Sequence, residues 1–211
     1  LVVVDRSPSV VVEPAYVPVA VAEPIGAASG YEAETPVGFG VSELPSDEPA
    51  TYLELGEQVF AEGRYPEARR FFVRALMVLA EDPYAQLDYG LIHFALGDYA
   101  VAADAFRRAL NGEPDLFDRP PDVSTAYGVE GDFEAHLAAL ESYLAKNPDD
   151  ADARFVLGFV RFSIGDAHGA LPNLSRVLQR NPKDIVAYVL RDAVLRALRA
   201  PQPSGLAPSP P

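Results

Sequence analysis

Three histidines are the side chains here best suited to acid–base or metal chemistry: His93, His136 and His168. They form no His-x-x-x-His or His-Glu pair, so nothing places two ligands on one helical face. They read as packing or surface residues. The acids Asp149, Asp150 and Asp152 follow a proline and precede a helical stretch, the place for helix capping rather than general acid–base work. The "NLS" at 173–175 matches a glycosylation pattern but falls inside a helical stretch and reads as incidental. There is no cysteine, which excludes disulfides, thiol catalysis and cysteine-ligated zinc. No Gly-rich phosphate loop, nucleophile elbow or calcium loop occurs. The expectation is a chain that is not an enzyme, with no catalytic, metal or cofactor site.

The formal charge is −14, with eight acids and one base (Arg6) in residues 1–50. Such a chain repels nucleic acid and anionic membrane surfaces. No apolar run approaches the roughly 18 residues of a membrane span. The sequence starts at Leu1 rather than Met and reads as a fragment or processed product. Two lysines against fifteen arginines point to a GC-rich bacterial genome. The compartment is left between cytoplasm and bacterial periplasm or envelope, leaning towards export.

Residues 1–49 hold seven prolines among Val, Ala, Glu and Gly, and "VVVEPAYVPVAVAEP" cannot be helical because each proline breaks backbone bonding. This segment, and the tail 201–211, are expected to be disordered or polyproline-like. Residues 50–200 carry helical periodicity almost throughout. Within them Gly63, Gly97, Gly131 and Gly165 stand 34 residues apart, as do Pro114, Pro148 and Pro182, while Gly90 and Gly158 stand two periods apart. A fixed period of this size means stacked supersecondary units. Each splits into two helices: 51–62 and 66–81; 84–96 and 99–111; 122–129 and 133–146; 151–163 and 167–180. A last helix, 184–199, closes the open end.

These residues resemble the tetratricopeptide repeat family, a 34-residue helix-turn-helix unit, over residues 50–200. Its first helix has a large residue followed by a small one, here Leu55-Gly56, Tyr89-Gly90 and Leu157-Gly158. Its second helix alternates small and large residues, here Ala68, Phe72, Ala75; Ala102, Phe106, Ala109; and Ala170, Leu174, Val177. The alanines let helices approach, and the large residue fills the neighbouring helix's hole. The implied fold is an all-α, right-handed α-solenoid of about four repeats (50–82, 83–116, 117–150, 151–184) plus the cap helix, between disordered tails. The first unit has about three extra residues before Pro83, predicting a longer second helix. In the third, Pro120-Pro121 cuts the first helix to about two turns, and His136 and Tyr143 stand where the others have Ala or Val. The arginines Arg69, Arg70, Arg74, Arg107 and Arg108 are expected on a solvated outer face.

The resemblance further implies a concave groove lined by first helices. Carried onto this sequence, its apolar strip is Leu53, Phe60, Tyr84, Leu87, Leu91, Phe94, Phe155, Phe159 and Phe162. Where some family members clamp a carboxylate with Lys, Asn and Arg, this chain has Leu53, Glu57, Asp88, Asp118 and Asp122, so an anionic C-terminus is disfavoured. Two readings of the strip stand: a groove for an apolar peptide segment, or packing between first helices. The functional expectation is a non-catalytic protein-interaction scaffold whose partner is a protein or peptide segment, the chain's own N-terminal tail included. The alternative is a structural or tethering element of a bacterial envelope, with that tail as spacer.

Overall fold

The structure, a computed structural model, describes residues 49–200, and every regular element among them is helical. The expectations for the N-terminal segment and the 201–211 tail lie outside the described residues. Helices α1 (Pro49–Ala61) and α2 (Tyr65–Leu76) form one antiparallel hairpin, and α3 (Pro83–Leu96) and α4 (Tyr99–Gly112) a second. A short helix α5 (Asp115–Asp118), a 3₁₀ turn at Val123–Ala126 and α6 (Asp132–Lys146) follow. Then α7 (Ala151–Ser163) and α8 (Ala167–Arg180) form the last hairpin, and α9 (Ile185–Arg199) packs on α8.

Local chemistry sets these boundaries. Gly63, Gly97, Gly131 and Gly165 all have φ between 79° and 85°. At Gly97 this left-handed residue ends α3, and the next amide returns to the His93 carbonyl, a closure that a β-carbon would strain. Aspartates open the helices that follow loops. Asp82 Oδ1 accepts from the amides of Tyr84 and Ala85, Asp150 from Ala153, and Asp184 from Ala187. Each such cap stabilises its helix by about 1 kcal/mol. Asp150, one of the acids whose spacing predicted capping, does cap α7.

The hairpins close on a small-against-large fit. A β-carbon on Gly56 would lie 2.7 Å from the Phe72 ring, and one on Gly158 2.8 Å from Leu174; at Gly90 the Phe106 ring is closer still. Ala68, Ala75, Ala102, Ala109 and Ala170 have no exposed surface. Tight backbone approach and buried rings are therefore one arrangement, built from dispersion contacts at interior density.

Two expectations are corrected. The extra residues of the first unit do not lengthen its second helix, because α2 stops at Leu76. Met77 and Val78 are largely exposed, so no packing rewards a further helical turn. The chain leaves through 3₁₀-type bonds and is held by the Gln86 side chain, which donates to the Ala80 carbonyl at 2.6 Å.

The third unit departs further than Pro120-Pro121 alone predicts. Its first helix shrinks to the four-residue 3₁₀ turn. Tyr127 then leaves helical geometry (φ −81°, ψ 128°), and its ring enters a cluster with Phe60, Tyr65, Phe133 and His136. Gly128 crosses so near α1 that a β-carbon would lie 2.5 Å from the Ala61 carbonyl oxygen. With no first helix in the third unit, α7 packs directly on α4, while α6 lies against α3 and α7. Repeat-to-repeat stacking thus passes from the second hairpin to the last.

Candidate partner-binding groove

The apolar strip expected on the concave side divides in two. Phe155 and Phe159 have no exposed surface. Phe159 meets the Phe106 ring at 4.6 Å, and the Arg107 guanidinium lies 4.2 Å above Phe155. Both are enclosed between α4 and α7, because α7 takes the place the missing helix would have held. Phe94 and Phe162 are also buried, as is Leu87; Phe94 packs on Phe133 of α6. These five side chains offer a partner little or nothing in this conformation, so the packing reading applies to them.

The other part lies on α1 and α3. Leu53 is half-buried and Tyr84 is 55% exposed, while Phe60 and Leu91 are themselves buried and show only their edges to the space between the helices. Between the two helices lies a cavity of about 170 Å³, lined by Glu57 and Phe60 of α1, Phe72 of α2, Asp88 and Leu91 of α3, and Ala126 of the 3₁₀ turn. The turn that stands in place of the third unit's first helix thus contributes to the cavity wall. Asp88 is pushed up to about 7, first by burial and then by the negative charges of Glu57 and Asp82. Among the described residues, no basic side chain opposes this shift.

The crossing segment is fixed by polar contacts that sequence spacing did not reveal. The Tyr65 hydroxyl donates to Asp132 Oδ2 at 2.6 Å, tying the start of α2 to the start of α6. His136 Nδ1 lies 3.3 Å from the Tyr127 hydroxyl, and its ring meets Tyr65 edge-on at 4.9 Å. Burial raises the phenols of Tyr65 and Tyr127 and lowers the His136 imidazolium, although Asp132 opposes the last effect. His93 is likewise lowered by burial, partly offset by Asp98 at 3.1 Å. Among the described residues, no group of three or more His, Asp or Glu side chains is placed to hold a metal ion.

Arg107 corrects a further expectation. Its side chain is only 22% exposed and donates to Asp152 at 2.8 Å and to Asp184 at 3.1 Å. It joins α4 to the starts of α7 and α9 instead of decorating a solvated face. Arg108 beside it does behave as expected, pairing with Asp104 one turn away in solvent. Adjacent arginines differ only in the face of α4 they occupy, and that face acquires its meaning from α7.

The tetratricopeptide repeat model matches residues 53–117 and 124–185. The chain belongs to the tetratricopeptide repeat family. It is similar to a TPR repeat-containing protein of Methanocaldococcus jannaschii, 26% identical over 142 residues, which cover 66% of this chain and 25% of that protein. Intraflagellar transport protein 70A of Xenopus laevis is 28% identical over 80 residues, covering 36% of this chain and 12% of that protein. The chain therefore spans a quarter or less of these relatives. Among solved structures, the first TPR domain of Spaghetti (RPAP3), bound to an HSP90 peptide, is 18% identical, with TM-score 0.34, and covers 75% of this chain and 98% of that one. YrrB, a TPR protein with an unusual peptide-binding site, is 20% identical, with TM-score 0.31, and covers 71% of this chain and 77% of that one. No described helix is long and apolar enough to cross a membrane.

Proposed function

We propose that the chain is a non-catalytic protein-interaction scaffold that takes a partner's peptide segment on the open face of α1 and α3. One observation carries this reading: the cavity between these helices is left unfilled by the described side chains although Phe60, Phe72 and Leu91 line it. The same hairpins that pack Gly56 against Phe72 and Gly90 against Phe106 leave room here, with Leu53 and the exposed Tyr84 on the same two helices. Apolar walls with a few polar groups are the usual composition of a peptide or ligand site. The matched family, a scaffold family by the resemblance drawn from the sequence, points the same way.

Panning a random peptide display library against the full chain tests it. The expected result is a consensus segment whose affinity falls about tenfold or more in the Glu57→Ala, Tyr84→Ala double variant, a loss of about 1.4 kcal/mol. Both side chains are exposed, so the variant should keep the parent's circular dichroism. The absence of any consensus, or peptides indifferent to the substitutions, would refute it.

A further inference from the structure

The cavity combines two features that suit different halves of one side chain. Phe60, Phe72, Leu91 and Ala126 supply apolar wall, while Glu57 and Asp88 supply carboxylates from two different helices. An aliphatic anchor would fit the wall but would strip Asp88 of its remaining water and leave a desolvated acid facing hydrocarbon. An acidic side chain or a C-terminal carboxylate would meet two like charges. A basic side chain satisfies both requirements, because its methylene stem lies on apolar surface and its cationic head reaches the acids.

We propose that this cavity receives an arginine or lysine side chain of the partner segment, with its stem against Phe60, Phe72 and Leu91 and its head between Glu57 and Asp88. The proposal rests on the groove reading above and names the chemistry of the residue that anchors there. Charge complementarity is its warrant. Both acids line the same apolar-walled cavity, and a further acid, Asp82, the cap of the same helix, also acts on Asp88. A cation placed there replaces like-charge repulsion by two charge-assisted hydrogen bonds. A guanidinium serves two carboxylates through one planar fork, whereas an ammonium acts as a point charge. Arginine is therefore expected to bind more tightly than lysine. The chain's overall acidity adds to the attraction of a basic segment during encounter.

The test uses the full 211-residue chain, labelled with ¹⁵N, at pH 8. Three probes are titrated in parallel: Nα-acetyl-arginine amide, Nα-acetyl-lysine amide and Nα-acetyl-norleucine amide. Single-residue ligands of this size bind in roughly the millimolar range, which chemical-shift titration reads directly. The expected result is saturable shifts at the backbone amides of Glu57, Asp88, Leu91 and Ala126 with the arginine probe, weaker ones with lysine and none with norleucine. Asp88→Asn and Glu57→Gln should each weaken the arginine probe by about tenfold. Asp88→Asn removes a repelled charge and so should fold at least as well as the parent.

Norleucine matching arginine at the same amides would overturn the proposal, as would unsaturable shifts spread over the acidic surface. Arg6 is the only base in residues 1–48. If Arg6→Gln moves the cavity resonances without any probe, the chain's own base is the occupant and the partner assignment falls. Displayed peptides that bind parent and Asp88→Asn equally would remove the basic anchor while leaving the groove reading intact.

Discussion

Replacing Arg107 by alanine tests whether α4 stacks on α7 and α9 as the structure shows. The guanidinium bonds Asp152 and Asp184 and covers the Phe155 ring. Removing one partner of a buried ion pair costs about 3–5 kcal/mol, whereas an exposed pair contributes about 0.2–1 kcal/mol. Arg107 lies between these limits. Asp184 is only 8% exposed, but it keeps a bond from the Ala187 amide, and Asp152 is 47% exposed and rehydrates easily. The lost contact with Phe155 adds about 0.5–1 kcal/mol. The expected cost is about 2–3 kcal/mol, or about 4–12 °C in Tm for a domain of this size. Urea unfolding followed by circular dichroism would measure it, with Arg108→Ala as the internal control. Arg108 has only its solvent-exposed bond to Asp104 and should cost no more than about 0.5 kcal/mol. Asp184→Asn keeps the helix cap and removes the charge, so a double-mutant cycle with Arg107→Ala isolates the pair; a coupling of about 1 kcal/mol or more is expected. If the two arginine variants lose the same stability, or the cycle shows no coupling, the direct stacking of α7 and α9 on α4 is wrong.

Other perturbations probe other levels. Gly90→Ala drives a β-carbon into the Phe106 ring and should destabilise by about 1–3 kcal/mol, despite alanine's better helix propensity; a stabilised variant in thermal unfolding would contradict the close approach. Tyr127→Ala should cost about 2–4 kcal/mol and increase amide exchange across residues 119–131, while Tyr127→Phe, which keeps the ring contacts, should cost about 1 kcal/mol. Equal losses from both would mean the hydroxyl, not the ring, holds the crossing segment. Burial first, and then the charges of Glu57 and Asp82, raise the folded pKa of Asp88 to about 7 from an ordinary value of 3.8. The folded state then binds more protons between these values, so its relative stability falls as pH rises through that window. Asp88→Asn should therefore be more stable than the parent at pH 8, by about 1–3 kcal/mol, and indistinguishable near pH 4. An advantage that grew towards acid would show the sign to be wrong.

The regular part of this fold was legible because its causes are local. Gly97 needs only its own φ to end a helix, Asp150 needs only the amide three residues on, and Ala102 and Phe106 declare the packed side of α4 by their spacing. The helix boundaries expected for the second and fourth units agree with the structure to within one residue. The candidate site was legible in composition but not in exposure. Glu57, Asp88 and Tyr84 stood at groove positions on the family's pattern, yet Phe155 and Phe159 stood there as well and are enclosed. The pattern assumes that each first helix faces the next first helix, and in this chain one of them is missing.

The sequence by itself determined the 34-residue period, the helical class, the Asp150 cap and a shortening of the third unit's first helix after Pro120-Pro121, since each depends on residues a few positions apart. Only the tertiary structure decided what took the vacated place. That α7 moved onto α4, that Arg107 met Asp152 and Asp184, and that Tyr127 crossed to Phe60 are contacts between residues 45 to 77 positions apart. Such contacts follow from which apolar surfaces must be buried once a neighbour is absent, a condition set by the whole chain at once rather than by any window of it.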